Sequence, residues 1–232
     1  MAEVLTSRCP YSSDFDPLES NDPSHIYAEY DKLRSSCPVA YTEKYNGYWL
    51  LSRYEDIKNV AMDSETYISS VKAVVPSDPR GIRRPPLNYD APAHTPYRTA
   101  LDRTLKPARL RRLDRILVAH AEHELAPMLE AGGGDICMEF GARFPAWVET
   151  EWLNLDSSYT ESLAATVASW VKAWRAQDGE AVMAFSTKLY HTAEALLANR
   201  RENPRDPEDD PASSLLLEKN DQGEYLQSHQ LM

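Results

Sequence analysis

Apolar residues recur at helical spacing through most of the second half of this 232-residue chain, and this pattern constrains the fold more than any other feature. Helices are predicted at about 94–105, 108–130, 136–155, 158–174 and 180–201. Pro145 should kink or stagger the third of them. The only clear β signal is two short apolar runs around Asn46-Gly47, a dipeptide that tolerates the positive φ angles of a hairpin turn. The sequence therefore predicts a mainly α fold with one small β hairpin.

Before position 94, short elements alternate with an irregular stretch. Asp22 followed by Pro23 predicts the start of a helix that runs to about Ser36. The S-x-x-E spacing of Ser52 and Glu55 predicts a capping box at the start of a further helix, and residues 158–161 repeat that pattern. From Ser69 to Ala93, prolines interrupt every periodicity. A loop of this length within a compact domain is more often functional than neutral.

The overall charge limits the classes of partner. The formal net charge is −11, from 25 basic and 36 acidic residues, which disfavours a general affinity for nucleic acid or for anionic membranes. No run of about 18 apolar residues could span a bilayer, and the N-terminus does not resemble a secretory leader. Cys9, Cys37 and Cys137 are widely separated, which suggests neither a disulfide framework nor a zinc site. We expect a soluble, cytoplasmic protein.

A basic stretch departs from this acidic background. The segment from Arg98 to Arg115 contains seven basic and two acidic residues, a local net charge of +5. Such a concentration of charge can steer an acidic partner to one face of the protein. The alternative is a solvated helix face whose charges form internal ion pairs.

The sharpest local signal lies at the start of the first of the five predicted helices. His94 and Arg98 are four residues apart, so on a helix both side chains project from one face. Two donors at the positive end of a helix can bind a carboxylate or a phosphate. The alternative is a solvated surface pair.

Two further patterns each allow a functional and a structural interpretation. The segment from His120 to Glu124 (HAEHE) contains two histidines, but neither of the usual zinc-protease spacings, so we interpret it as a surface cluster. Trp170, Val171 and Trp174 form an apolar stripe on the fourth of these helices. Such a stripe can line a ligand pocket or pack in a core.

Several segments resemble the soluble bacterial-type cytochromes P450. The Asp-x-Pro-x-His-Thr-x-Tyr-Arg pattern of Asp90–Arg98 is similar to the start of the family's helix C, where the matching His and Arg bind the haem propionates. Gly47–Ile57 is similar to its first hairpin and helix B, and Asp22-Pro23 and Cys37–Val39 match the segments before them. The resemblance implies that residues 1–232 form the N-terminal part of one cytochrome P450 domain, helices A to G, truncated before or at the start of helix I.

The resemblance also implies a cofactor, a pocket and partners. His94 and Arg98 would hold haem, which would serve oxidation of a small organic substrate. Residues of the irregular loop and of the family's helix F would line the substrate pocket: Val74, Val75, Ile82, Trp170 and Val171. An acidic ferredoxin or flavodoxin-like redox partner would dock near Arg103–Arg112, and no nucleic acid or membrane is expected to bind.

Three motifs of the intact family do not occur in this chain: the helix I Ala-Gly-x-x-Thr, the Glu-x-x-Arg and the glycine-flanked cysteine loop. None of the three cysteines lies in a loop that could present a thiolate to haem iron. We therefore assign no catalytic residue and no metal ligand, and we expect the chain alone to be inactive. One alternative is a non-catalytic helical remnant or binding module from a truncated gene. Another is an unrelated all-α ligand-binding protein that shares only the His94 and Arg98 pair.

Overall fold

The computed structural model describes residues 13–20, 22–71, 75, 84–220 and 222–227. The chain divides into two compact units between Asp78 and Pro79. Most of the described residues lie in helices. The sheet within the described residues is a two-stranded antiparallel hairpin. The predicted class, mainly α with a small hairpin, is confirmed.

The first unit contains helix α1, Pro23–Ser36. The carboxylate of Asp22 accepts a hydrogen bond from the backbone N–H of Ser24 at 2.9 Å and so caps the helix. Pro23 takes the first helical position, where its missing N–H has no cost. The start predicted from these two residues is therefore confirmed.

The hairpin pairs β1, Val39–Thr42, with β2, Tyr48–Leu51. The connecting turn is longer than two residues, because a short 3₁₀ turn over Lys44–Asn46 precedes Gly47. Gly47 has a φ of +82°, and a Cβ atom there would collide with the Tyr41 hydroxyl, so both the backbone and the neighbouring ring require glycine. The hairpin closes over a small core of Phe15, Leu33 and Ala40.

Helix α2, Tyr54–Met62, follows β2, but the predicted capping box was wrong. Arg53 occupies the N-cap position, and no side chain caps the first turn. The hydroxyl of Ser52 instead donates to the carbonyl oxygen of Pro38 at 3.2 Å, because the end of the hairpin brings that acceptor within reach.

The second unit is a series of helices joined by short turns. In chain order they are α3 His94–Thr104, α4 Pro107–Leu110, α5 Asp114–Glu130, a π-helical turn Ile136–Gly141, α6 Phe144–Trp152, α7 Tyr159–Arg175, α8 Gly179–Glu202 and α9 Pro211–Leu215. The helix predicted over 108–130 is divided into α4 and α5, because the chain turns at residues 111–113 and buries Leu113. The helix predicted over 136–155 is likewise divided, and Pro145 lies in the first turn of α6.

The core of the second unit lies mainly where α6, α7, α8 and α9 pack together. One cluster contains Ala146, Leu163 and Ala164, and another contains Leu196, Leu197 and Ala212. The second capping box was also wrong: no side chain caps the start of α7, and Glu161 pairs with Arg143 at 2.5 Å.

None of the described helices is long and apolar enough to cross a membrane. Cys37 is disulfide-bonded, whereas Cys137 is a free and exposed thiol. The expectation of no disulfide was wrong for Cys37, because the spacing of cysteines along a chain does not reveal which of them meet in the fold.

Candidate functional site

Helix α3 carries the two residues predicted to bind an anion. The backbone N–H of His94 donates to the carbonyl oxygen of Asp90 at 2.9 Å, and that of Thr95 donates to Pro92 at 3.1 Å. No side chain caps this end of the helix. Since the first N–H groups already have backbone acceptors, anion binding here depends on side chains rather than on the helix end.

His94, Arg98 and Asp102 follow one another at four-residue spacing along one face of α3. His94 is half-buried, and the Arg98 side chain is 55% exposed. The Nε of Arg98 lies 3.0 Å from one carboxylate oxygen of Asp102 and 3.1 Å from the other. The face therefore presents a histidine and an arginine to solvent, with one carboxylate beside the arginine.

An apolar cavity adjoins this face. It is a shallow cavity of about 70 Å³ that is open to solvent. Its walls are Pro85, Pro86, Tyr97, Ala100, Leu101, Leu215 and Leu226. Tyr97 and Leu101 lie three residues after His94 and Arg98, so the cationic side chains and the apolar wall are neighbours on one helix surface. An amphipathic ligand with acidic groups at one edge would match this arrangement.

Of the five predicted pocket residues, the structure describes Val75, Trp170 and Val171, and neither Trp170 nor Val171 lines this cavity. Val74 and Ile82 lie outside the described residues, and Val75 is half-buried in the first unit. The indole N–H of Trp170 donates to the Ser186 hydroxyl at 2.8 Å, which ties α7 to α8. Val171 is 43% exposed. For Trp170 the contact matches the alternative interpretation, packing between helices.

Much of the basic stretch pairs within the chain. Arg103 contacts the carboxylate of Glu218 at 2.8 Å, and Arg109 donates to Glu208 and to the hydroxyl of Ser214. Arg112 donates to the carbonyl oxygens of residues 151 and 152 at 3.3 and 2.8 Å. These contacts favour internal ion pairing for Arg103 and Arg109 and backbone hydrogen bonding for Arg112 over a free docking surface.

A buried polar network joins the ends of α6, α8 and α9, and the sequence did not indicate it. Arg200 and Asp210 pair at 3.0 Å, and the amide of Asn154 donates to Asp210 at 3.1 Å. The backbone oxygen of Asn154 accepts from Arg200 at 3.0 Å and from Arg205 at 3.3 Å. Burial by itself raises the pKa of Asp210, but hydrogen bonds from Ser213, Asn154 and Arg200 together hold it below its usual value.

The histidine pair of α5 is a surface cluster only in part, because His123 is exposed whereas His120 is half-buried. Its ring stacks on Trp147 with the ring centres 3.4 Å apart, and its Nε2 lies 3.5 Å from a Glu124 oxygen without forming a hydrogen bond. Burial lowers the pKa of His120, and the charges of His123 and Arg143 lower it further, against the opposing effect of Glu124. Within the described residues no group of side chains could hold a metal ion.

Comparison with solved structures identifies the class of fold. A Mycobacterium marinum cytochrome P450, solved in complex with pseudoionone, superposes with a TM-score of 0.77 over 94% of this chain and 58% of its own, at 20% identity. A second cytochrome P450 structure gives a TM-score of 0.75 over 97% of this chain and 56% of its own. The chain therefore has the cytochrome P450 fold over part of that fold's length.

The sequence comparisons agree: the chain resembles bacterial cytochromes P450. It is 24% identical over 214 residues to a putative cytochrome P450 of Bacillus subtilis. The matched region covers 91% of this chain and 53% of that protein. It is 32% identical over 154 residues to a cytochrome P450 of Rhodopseudomonas palustris, 64% of this chain and 37% of that protein. The chain thus spans about half or less of these relatives. No protein-family model matches it.

The residues of α3 fit one part of haem, the cofactor of this family. A histidine and an arginine are suitable donors for its carboxylates, and Tyr97 and Leu101 beside them offer apolar surface for contact with its macrocycle. The described residues offer no comparable match for the iron, because Cys37 is disulfide-bonded and Cys137 is exposed within a π-helical turn.

Proposed function

We propose that residues 1–232 form part of one cytochrome P450 domain and supply the propionate-binding portion of a haem-dependent monooxygenase that oxidises a small organic molecule. The observation that carries this proposal is the α3 face, where His94 and Arg98 adjoin an apolar cavity. Relatives named as a steroid C26-monooxygenase and a pulcherriminic acid synthase support this class of reaction. Because the chain spans 36–40% of those two proteins, the activity is proposed for a whole protein of that class.

Haem, when bound, supplies the oxygen-activating chemistry. The contribution of this chain is to bind and orient the group. Arg98 and His94 would hold its carboxylates, and Tyr97 and Leu101 would exclude water from the adjoining apolar face.

Haem titration of the purified chain tests the assignment. Loss of one charged hydrogen bond weakens binding by about tenfold or more, so Arg98→Ala should bind haem at least about tenfold more weakly than the unaltered chain. Arg111→Ala is the matched control, since Arg111 is exposed and forms no ion pair within the described residues. Equal affinity of the Arg98 and Arg111 variants would remove the propionate role.

We further propose that the chain alone does not catalyse monooxygenation. Neither described cysteine is placed to ligate iron, and the family's chemistry requires an axial thiolate. A carbon monoxide difference spectrum of the haem-loaded chain should therefore lack the thiolate band. The Mycolicibacterium smegmatis steroid C26-monooxygenase, prepared in parallel, serves as the positive control. A normal thiolate band from the chain alone would contradict this.

The second candidate is a non-catalytic helical module that retains part of the pocket. Apolar side chains such as Val118 and Leu129 on α5 are exposed. Such side chains can form a binding surface of an independent module, or they can be the surface that further protein covers. Size-exclusion chromatography and thermal unfolding separate the candidates. A monodisperse sample with one sharp transition indicates an independent module, whereas aggregation indicates that further protein must cover these residues.

An acidic ferredoxin or flavodoxin-like partner remains part of the proposal. The region predicted for it, Arg103–Arg112, contains three arginines that already donate to acceptors within the chain. Lys106, Arg111 and Arg115 are exposed and form no ion pair within the described part of the chain, so we propose that they make the contact. Arg111→Glu should weaken binding of an acidic ferredoxin and reduce its salt dependence, whereas Arg53→Glu, on the first unit, should change neither.

Cytoplasmic location is also proposed, and the resemblance to bacterial cytochromes P450 supports it. The disulfide at Cys37 is the observation against it, since cytosolic thiols are usually reduced. Alkylation of the native protein in cell extracts tests both: a modified Cys37 supports a reducing compartment, and a protected Cys37 contradicts it.

A further inference from the structure

Arg98 differs from its neighbouring arginines in the edge of the guanidinium that it uses. Arg103 contacts the carboxylate of Glu218 through Nη1, and Arg109 contacts that of Glu208 through Nε and Nη2 together. Arg98 contacts Asp102 through Nε alone, at 3.0 and 3.1 Å from the two carboxylate oxygens. Among the described residues its Nη1 and Nη2 donate to no acceptor, so four of its five N–H bonds remain available.

The Arg98–Asp102 pair has little value for folding. Both side chains are more than half exposed, at 55% and 53%, and both belong to α3. Exposed pairs at four-residue spacing contribute little to stability. The pair does restrict the rotamers of a flexible side chain, and it does so at the edge of the apolar cavity lined by Leu101.

We propose that Asp102 is a positioning residue for a carboxylate ligand of Arg98. It holds the Nε edge of the guanidinium and leaves the two Nη groups as a fork for one propionate of haem. This inference rests on the proposed propionate role of Arg98. Fixing a side chain before binding removes part of the entropy cost of binding. A carboxylate that only offset the charge of Arg98 would have the opposite effect and weaken the attraction for an anion.

The sign of a mutational effect separates these two roles. The measured quantity is the affinity for haem divided by the affinity for haem dimethyl ester, whose propionates carry no charge. If Asp102 positions Arg98, Asp102→Ala lowers this ratio by about two- to tenfold, the range expected from one immobilised side chain. Asp102→Glu restores it. Asp31→Ala is the control, because it removes the same charge from another exposed arginine pair, with Arg34, on α1.

Arg98→Ala makes the experiment decisive for both proposals. We expect it to lower the ratio at least as far as Asp102→Ala, and we expect Asp102→Ala to have no further effect when Arg98 is already alanine. A ratio that is unchanged or raised in Asp102→Ala, while Arg98→Ala lowers it, overturns the positioning role alone. Three results would overturn the proposed propionate site and this inference together. Arg98→Ala could leave the ratio unchanged, the unaltered chain could bind no haem, or it could bind haem and its ester equally well.

Discussion

Arg200 and Asp210 form an ion pair in which both side chains are almost completely buried, with 4% and 1% of their surfaces exposed. The pair joins the C-terminal end of α8 to the N-cap of α9, where the Asp210 carboxylate also accepts the backbone N–H of Ser213 at 2.8 Å. Removal of one partner from such a pair leaves an uncompensated charge in the interior.

Asp210→Ala should therefore destabilise the second unit by about 3–5 kcal/mol, the usual cost of breaking a buried pair. Urea unfolding followed by circular dichroism measures the change. Asp209→Ala is the matched control, because the neighbouring side chain is exposed, and its substitution should change stability by less than about 0.5 kcal/mol. Similar losses in the two variants would show that the buried pair is unimportant.

The same carboxylate predicts an acid limit to stability. Since the folded protein holds the pKa of Asp210 below its usual value, the unfolded chain binds a proton at a higher pH than the folded one. The stabilisation is present above the unfolded pKa of about 3.9 and is lost as the pH falls through the lowered folded pKa. Unfolding free energies measured between about pH 5 and 2 should show this loss, and Asp210→Asn should reduce the slope.

His120 predicts a second loss of stability at milder pH. Its pKa is lowered in the folded protein, chiefly by burial, so the unfolded chain takes up a proton first. Stability should be constant above the unfolded pKa of about 6.5 and should fall by up to about 1.4 kcal/mol per pH unit below it. His120→Phe, which keeps a ring against Trp147, should remove this slope, whereas the exposed His191→Gln should preserve it.

Asn154 should resist replacement for two separable reasons. Its φ is +50°, a left-handed conformation that most side chains disfavour, and its amide donates to the carbonyl of Asp209 and the carboxylate of Asp210. Asn154→Gly loses only the hydrogen bonds, while Asn154→Ala also strains the backbone. We expect the alanine variant to be about 1–2 kcal/mol less stable than the glycine variant in urea unfolding. Equal stabilities would mean that the backbone relaxes.

Gly47→Ala tests the hairpin turn. A Cβ atom at this position meets both an unfavourable φ of +82° and the Tyr41 ring, whereas at Gly223, with φ +79°, no atom lies within 4 Å. Gly223→Ala should therefore cost only the backbone strain of about 1–2 kcal/mol, and Gly47→Ala should cost more. Thermal unfolding measures both. Tyr41→Phe, which removes the colliding oxygen, should recover part of the difference for Gly47→Ala.

Local signals in the sequence predicted the fold wherever the interacting residues are neighbours in the chain. Asp22 and Pro23 start α1 because a cap and a first-turn proline act within one helical turn. Both capping boxes failed for the complementary reason: the hydroxyl of Ser52 and the carboxylate of Glu161 bind Pro38 and Arg143, which are distant in sequence.

In the candidate site, too, the sequence predicted the local feature and missed the contacts between distant segments. The four-residue spacing of His94 and Arg98 placed them on one helix face, and the structure agrees. The cavity beside them could not be foreseen, because Leu215 and Leu226 reach α3 from more than 100 residues along the chain. The internal pairing of Arg103 and Arg109 with acidic residues near 208 and 218 was equally invisible in a count of charges.

The sequence by itself determined the mainly helical class, the hairpin and the cationic face of α3, since periodicity and turn chemistry act over a few residues. Only the tertiary structure decided which charges are free and which are buried. His120, Asn154 and Asp210 acquire their properties from partners on other segments, because desolvation and hydrogen bonding depend on what packs around a group. The spacing of residues along the chain does not predict which residues pack around such a group.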